Sequence, residues 1–233
     1  MIVLSFDTSL AACSTAVVDT GAKTHVLAAS YCEPGKGHAE ILLGLIEDVM
    51  SRAGVGFSDI ERQVITIGPG SFTGVRVGLS AARGFRIAHN IPICGLSTLQ
   101  AISANLSQLE PPVLSCPIAV LVDARRQQAY GQVFDGALKP LCAPALIEVD
   151  DLRDWLSPWK SMPLTLMGSG AGLINTNKTC LPEMWALTAG HTSPDAACFA
   201  QVFKDIEPGD TPPDPLYLRK PDAKPQIIGQ VNA

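Results

Sequence analysis

The two halves of this 233-residue sequence carry the same pair of apolar, strand-like segments, each closed by an aspartate. In the first half the segments end at Asp7 and Asp19, and in the second half they end at Asp123 and Asp135. Both pairs are twelve residues apart, and the second pair follows the first by 116 residues. We therefore predict an internal duplication that folds into two related α/β lobes.

Strand-like and helix-like segments alternate along the first half. Apolar or β-rich runs bounded by turn signals predict five strands, at 2–6, 13–18, 25–31, 64–67 and 91–95. Apolar residues at helical spacing predict helices over 38–53 and 72–88, and Ser97 or Thr98 can cap a third helix. The predicted order is β-β-β-α-β-α-β-α, and its first three strands form an antiparallel meander.

The second half is predicted to form a smaller lobe with a proline-rich tail. We place the lobes at residues 1–108 and 109–233, because prolines at 111 and 112 mark a joint between them. Strands are predicted at 118–122, 129–134 and 164–167, and helices near 150–156 and 194–204. The last helix is expected to pack back on the first lobe, and the tail 211–225 is expected to extend over the surface.

The composition argues against several classes of protein. Apolar residues make up 47% of the chain, so a large core is possible. A net charge of −5 without a basic run argues against a protein that binds nucleic acids mainly through their phosphates. No stretch of about 18 apolar residues predicts a membrane span, and the first apolar run is too short for a signal peptide. Seven cysteines without a CxxC pair indicate reduced thiols, so we expect a cytoplasmic protein.

A glycine-rich loop, Gly68-Pro69-Gly70-Ser71-Phe72-Thr73-Gly74, follows a predicted strand and opens a predicted helix. Backbone N–H groups at such a helix start attract anions, and Ser71 or Thr73 can add a hydroxyl donor. The loop lacks the lysine of a P-loop. Two interpretations stay open: a phosphate contact, or a tight turn with a glycine at positive φ and Ser71 as the helix cap.

The other polar residues do not form a recognisable catalytic set. Asp7 and Asp123 either cap the turns after their strands or organise a metal ion through water. The four histidines, at 25, 38, 89 and 191, include no pair at i, i+4 that would bind a metal from one helix. Cys13 and Cys94 lie in apolar strands and are interpreted as core thiols. We therefore assign no catalytic and no metal-binding residue.

Both long helices carry more apolar surface than one core requires. Apolar side chains of the helix 38–53 cover an arc of roughly 200°, about twice the stripe that a single contact needs. The helix 72–88 has a ridge of small residues that permits close approach of another helix. Either both helices lie between the sheet and the second lobe, or they bind another subunit. The predicted partner interface consists of Ile41, Leu42, Leu45, Val49, Gly74, Gly78, Ala81 and Phe85.

Several short motifs together resemble one known family. The most specific is GPGSFTGVRVG at 68–78, and the similarity is dense over residues 1–105. The other matching pieces are FDTS at 6–9, HAE at 38–40, Pro92 with LSTL at 96–99, DAR at 123–125 and LYLR at 216–219. This set is similar to the TsaB family, also called YeaZ.

The resemblance implies a two-lobed, actin-like ATPase fold of the ribonuclease H-like type. It also implies a role in forming N6-threonylcarbamoyladenosine (t6A) at position 37 of ANN-decoding tRNAs. In that system TsaB is a non-catalytic partner of its paralogue TsaD, which carries out the transfer, and TsaE is an ATPase of the same pathway. TsaD is contacted through the two helices, homodimers form through the same surface when TsaD is absent, and tRNA is reached only through the complex.

The resemblance also bears on cofactors. The chain is expected to require none, while ATP or ADP is expected at the junction with TsaD. The residues for that nucleotide or phosphate contact are Asp7, Thr8, Gly70, Ser71, Thr73 and Arg76. Two metal-binding histidines of TsaD fall on Thr98 and Ile102 here, so this chain lacks that ligand set.

Two alternatives come from the enzyme class. One is an actin-like ATP-dependent phosphotransferase that uses Asp7, Asp123 and the 68–74 loop. The other is a peptidase, which is an old label for the wider family. No Ser/His/Asp or zinc set can be assembled from the sequence for a peptidase.

Overall fold

The computed structural model of the protein describes residues 1–34, 37–108, 116–177, 182–188 and 192–219. The first half forms a sheet of β1 (Ile2–Asp7), β2 (Cys13–Asp19), β3 (His25–Cys32), β4 (Arg62–Thr66) and β5 (Ile93–Leu96). The second half forms a sheet of β6 (Ile118–Arg125), β7 (Gln128–Phe134), β8 (Ala145–Glu148), β9 (Leu164–Met167) and β10 (Trp185–Leu187). The α-helices are α1 (His38–Ala53), α2 (Phe72–His89), α3 (Thr98–Ser103), α4 (Leu152–Trp155) and α5 (Ala196–Val202).

The two five-stranded sheets share one topology. The first has the order β3-β2-β1-β4-β5, and the second has the matching order β8-β7-β6-β9-β10. In each sheet the first three strands in sequence pair antiparallel, and the last two are added in parallel. This topology confirms the predicted pair of related α/β lobes and the antiparallel meander at the start of the chain.

Most predicted elements are present, and the differences have local causes. The helix α1 begins and ends where the apolar spacing predicts, whereas β5 begins at Ile93 rather than Ile91. The helix predicted near 150–156 is a single α-helical turn, because Pro158 follows it closely. The sequence prediction missed β8 and β10, whose four and three residues are too short to show a period. The predicted joint at 111–112 lies outside the described residues.

Glycine and serine residues set the helix ends. Gly54 ends α1 with a left-handed φ of 68°. Ser71 accepts a hydrogen bond from the Gly74 N–H at 3.2 Å, and Ser97 accepts one from the Gln100 N–H at 3.0 Å. Ser71 and Ser97 are therefore the N-caps of α2 and α3, which confirms the predicted caps.

Helices cover both faces of the first sheet. On one face, α1 and α2 share a core with Phe6 and Ile65. On the other face, α3 and α5 pack around Phe199, and the buried Ser14 hydroxyl donates to the Pro194 carbonyl at 2.9 Å. The helix α3 also packs on β6, so one buried cluster joins the two lobes. Within the described ranges, no helix is both long and apolar enough to cross a membrane.

Candidate functional site

The outer sides of α1 and α2 form an open, largely apolar groove. Its first hollow encloses about 490 Å³ and is lined by Ala39, Leu42, Leu43, Phe72, Thr73, Arg76, Val77, Ser80 and Ala81. Its second hollow encloses about 470 Å³ and is lined by Leu43, Ile46, Glu47, Met50, Ser51, Val55, Phe57 and Phe85. Leu43 borders both hollows. We call this surface the α1–α2 groove.

Part of the predicted partner interface lies in the core beneath this groove. Val49 is fully buried and Leu42 is 1% exposed, because both pack against the first sheet. Assigning Val49 to an interface is therefore wrong, and Leu42 contributes only to the floor of the groove. The partly buried members of the predicted set are Ile41, Leu45, Ala81 and Phe85.

The glycine ridge of α2 serves contacts within the chain. A Cβ atom on Gly74 would lie 2.0 Å from the carbonyl oxygen of Thr8, and one on Gly78 would lie 2.9 Å from Thr8 Oγ1. The Thr8 hydroxyl donates to the Gly74 carbonyl at 2.7 Å. The predicted use of Gly74 and Gly78 against a partner is therefore wrong, because the missing side chains make room for the turn after β1.

Two exposed side chains that the predicted set leaves out dominate the groove. Leu43 is 56% exposed and Phe72 is 48% exposed. Leu43 belongs to the apolar arc of α1, so helical periodicity could have placed it in the predicted interface. Phe72 is the first residue of α2, and helical periodicity places it with Arg76 on the side away from the small-residue ridge, so this position was also an available signal.

Arg76 lies at the end of the first hollow and is held by aromatic residues. Its guanidinium carbon lies 3.6 Å from the centroid of the Phe72 ring, which is a cation–π contact. Its Nε donates to the hydroxyl of Tyr217 at 3.0 Å. A cation is therefore fixed beside an apolar surface.

A polar cavity lies between the two lobes. It encloses about 790 Å³ and is bounded by the starts of α1 and α2, the end of β6 and residues near the end of the described chain. Its polar side chains are His38, Glu40, Ser71, Thr73, Asp123, Arg125, Tyr130, Ser169, Thr192, Ser193 and Arg219. We call it the inter-lobe cleft.

Asp7 is buried beside this cleft and anchors a turn. It is 1% exposed and accepts hydrogen bonds from the Ser9 N–H at 3.0 Å, the Ser9 hydroxyl at 2.6 Å and the Thr66 hydroxyl. Burial raises the pKa of Asp7 from 3.8 to about 6, although the hydrogen bonds from Ser9 and Thr66 act in the opposite direction. The bonds from Ser9 are those of a residue that caps the turn after its strand, whereas Oδ2 has no hydrogen-bond partner among the described residues, so the metal-organising role stays a prediction.

The turn after β1 also packs against the N-terminal end of α2. The Ser71 N–H donates to the Ser9 carbonyl at 2.8 Å, and a Cβ atom on Gly70 would lie 2.2 Å from the same oxygen. Gly68 has a φ of 105°, as the tight-turn interpretation requires. The glycine loop is therefore explained by close packing of two backbone segments.

The six predicted nucleotide contacts differ in exposure. Gly70, Ser71 and Thr73 line the inter-lobe cleft, and Thr73 also lines the first hollow of the α1–α2 groove together with Arg76. Asp7 and Thr8 are each 1% exposed. The turn after β1 therefore buries two of the six, and the nucleotide contact by the other four stays a prediction.

Asp123 lines the cleft from the second lobe and is engaged in its own turn. Its Oδ1 accepts a hydrogen bond from the Arg125 N–H at 2.7 Å, and the two side chains form an ion pair at 3.5 Å. Asp7 and Asp123 occupy equivalent positions near the ends of β1 and β6, but of these two residues only Asp123 lines the cleft. The two carboxylates that the phosphotransferase alternative requires therefore differ in exposure, since Asp7 is 1% exposed.

The two positions that the family resemblance matches to metal-binding histidines lie in the core. Thr98 and Ile102 of α3 are both 0% exposed. Among the described side chains, no three neighbouring His, Cys, Asp or Glu residues could hold a metal.

A solved structure has the same fold as this chain. YeaZ from Pseudomonas aeruginosa superposes with a TM-score of 0.76 at 24% sequence identity, over 93% of this chain and 99% of that one. The two sheets, their shared topology and the cleft between them define a two-lobed α/β protein with the fold of YeaZ. This confirms the predicted fold class.

Sequence relatives identify the family. The model of the TsaD family, described as tRNA N6-adenosine threonylcarbamoyltransferase, matches residues 33–194. The proteins named tRNA threonylcarbamoyladenosine biosynthesis protein TsaB from Haemophilus influenzae and Escherichia coli are 31% and 28% identical over 127 and 130 residues. These matches cover 54% and 56% of this chain, and the chain spans about half the length of each relative, 51% and 53%. The chain belongs to the TsaD family and, within it, to the TsaB (YeaZ) group.

Proposed function

We propose that this chain is a non-catalytic subunit of t6A biosynthesis that binds TsaD through the α1–α2 groove and keeps that enzyme competent for tRNA modification. The observation that carries the proposal is the groove, where Leu43 and Phe72 expose large apolar side chains on neighbouring helices. An apolar groove between helices is a surface that accepts an amphipathic helix. The names of the TsaB relatives support the choice of pathway.

The shape and charge of the groove favour a helix as the docking element of the partner. Leu43 separates the two hollows, so apolar side chains one or two helical turns apart on the partner would fill one hollow each. Arg76 lines the first hollow and Glu47 lines the second. Partner side chains of opposite charge at these two ends would fix the direction of the helix.

The chemistry of the remaining candidates supports a non-catalytic role. Oδ1 of Asp7 accepts the hydrogen bonds from Ser9 and Thr66, and the family resemblance places Thr98 and Ile102 where TsaD has two metal-binding histidines. A net charge of −5 supports contact with tRNA only through the complex. The proposal also includes TsaE as a further partner and a homodimer that forms through the same groove when TsaD is absent. It places ATP or ADP at the junction with TsaD. It further includes a lobe division after residue 108 and a cytoplasmic location.

A pull-down of the purified chain with TsaD tests the proposal. Leu43→Asp should abolish co-purification and leave thermal unfolding unchanged, because the side chain is exposed. Leu141→Asp is the matched control, since Leu141 is 48% exposed on the second lobe, and it should bind like the wild type. In a modification assay with TsaD, TsaE and TsaC, the enzyme that makes threonylcarbamoyl-adenylate in this pathway, t6A formation should be lost with Leu43→Asp and kept with Leu141→Asp. Full binding by Leu43→Asp would contradict the interface, and t6A formed by the chain without TsaD would contradict the non-catalytic role.

A further inference from the structure

The segment 207–219 runs without helix or strand from the edge of the first sheet to the second lobe. Arg83 of α2 donates to the Pro213 carbonyl at 3.0 Å, and the Leu216 N–H donates to the Ile67 carbonyl at 2.7 Å. The backbone of the segment is therefore bonded to the first lobe at successive points along α2 and β4.

Two glycines shape the path of this segment. A Cβ atom on Gly95 would lie 2.9 Å from Pro213 Cβ, and one on Gly68 would lie 2.6 Å from the Leu216 carbonyl oxygen. Side chains at either position would displace the segment, so the end of the first sheet is shaped to receive it.

One contact of the segment reaches the α1–α2 groove. The Tyr217 ring packs on Phe72 with centroids 5.3 Å apart, and its hydroxyl accepts the hydrogen bond from Arg76 Nε at 3.0 Å. Arg76 lines the first hollow of the groove. Tyr217 therefore holds Arg76, the one cation that the described residues contribute to the lining of that hollow.

Two residues after Tyr217, the segment forms hydrogen bonds with the turn between β6 and β7. Arg219 donates to the Arg125 carbonyl at 3.3 Å and to the side-chain oxygen of Gln128. Arg125, Arg126 and Gln127 have left-handed φ angles of 63°, 55° and 58°, which residues with side chains rarely adopt. Such a conformation persists where neighbouring groups hold it.

We infer that segment 207–219 is a strap that couples the α1–α2 groove to the β6–β7 turn at the inter-lobe cleft, with Tyr217 and Arg219 as its positioning residues. Two residues span at most about 7 Å of backbone, so Tyr217 and Arg219 cannot separate further than this, and a large displacement of one must move the other. A partner seated on Arg76 is then linked to the shape of the cleft wall, and the linkage is reciprocal. The inference rests on the proposed function only where TsaD serves as the probe.

Hydrogen exchange on the chain alone tests the strap without any partner. Tyr217→Ala should raise amide exchange of residues 125–128 roughly tenfold, because the release of Tyr217 loosens the Arg219 contacts. Met162→Ala is the control, since Met162 is 39% exposed on the second lobe and lies away from the segment. Unchanged exchange at 125–128 in folded Tyr217→Ala would overturn the strap, whether or not TsaD binds.

TsaD binding tests whether a change at Arg219 affects the α1–α2 groove. Arg219→Gln should weaken the affinity about fivefold, although Arg219 is absent from the groove, because Tyr217 then holds Arg76 less firmly. Arg52→Gln is the control, since Arg52 bonds Asp48 and the Ala29 carbonyl. An affinity equal to that of the wild type would overturn the coupling. If the wild type itself fails to bind TsaD, the proposed function fails, and the exchange measurement still decides the strap.

Discussion

The Thr66 hydroxyl, at the end of β4, donates a hydrogen bond to the carboxylate of Asp7, at the end of β1. The two strands are parallel neighbours in the first sheet, so this bond ties together their carboxyl ends. It also places a carboxylate where almost no water reaches it, since Asp7 is 1% exposed. The stability of the protein should therefore depend on the protonation of this one group.

Stability should fall as the pH rises from about 4 to about 6. Burial raises the pKa of Asp7 from 3.8 to about 6, so the folded protein holds the proton more tightly than the unfolded chain does. The free energy of unfolding is then lower above pH 6 by about 3 kcal/mol. Asp7→Asn should remove this dependence and be more stable at pH 7.5 by about 1–3 kcal/mol. Urea unfolding at a series of pH values measures both effects.

Asp19→Asn is the control with the opposite sign. Hydrogen bonding by the Gly21 N–H is the main cause that lowers the pKa of Asp19, so its contribution to stability is present above the unfolded pKa and is lost as the pH falls. If Asp7→Asn proved less stable than the wild type at every pH, the ionised carboxylate would stabilise the folded protein. We expect instead that its burial lowers the free energy of unfolding.

Two glycines of α2 should respond oppositely to substitution by alanine. Gly74→Ala should destabilise the protein by about 1–3 kcal/mol, because the new Cβ atom would meet the Thr8 carbonyl at 2.0 Å. Gly84→Ala should stabilise it by about 0.5–1 kcal/mol, since no atom lies within 4 Å of its Cβ position and alanine favours helix. Thermal unfolding separates the two. Equal changes at the two positions would mean that the turn after β1 does not constrain the helix.

Adjacent leucines of α1 should separate folding from binding. Leu42→Ala should cost about 2–5 kcal/mol of stability, because Leu42 is 1% exposed in the core. Leu43→Ala should leave stability within about 0.5 kcal/mol of the wild type and weaken TsaD binding about tenfold, since Leu43 is 56% exposed in the groove. Unfolding and binding titrations on both variants test this division. A Leu43→Ala variant that unfolds early and binds normally would reverse it.

Ser14 should fix α5 on the first sheet. Its hydroxyl donates to the Pro194 carbonyl at 2.9 Å and accepts from the Ala196 N–H at 3.1 Å, both in a buried site. Ser14→Ala leaves two buried backbone groups without a partner, so we expect a loss of about 2–4 kcal/mol. Ser58→Ala, at an exposed serine, should have no measurable effect in the same thermal unfolding experiment. Equal stability of the two variants would show that another group satisfies the start of α5.

Local patterns in the amino-acid sequence were sufficient to predict most individual elements and the duplication. Apolar runs and turn residues placed β1 and β2, helical spacing fixed both ends of α1, and the matching pairs Asp7/Asp19 and Asp123/Asp135 indicated two related lobes. These features depend on neighbours a few residues apart, so periodicity and turn chemistry suffice to predict them. The family also followed from motifs that are continuous in the chain.

The accessibility of individual apolar and polar groups depends on how distant parts of the chain pack together. The arc of α1 contains both Val49 and Leu43, but packing on the sheet buries the first and leaves the second exposed. Likewise, Asp7 and Asp123 each close a similar apolar run in the sequence. In the folded protein, however, Asp7 is buried and accepts a hydrogen bond from the Thr66 hydroxyl. The contact of Tyr217 with Arg76 joins positions 141 residues apart. Such outcomes depend on which distant segments meet, and that information is not carried by local periodicity.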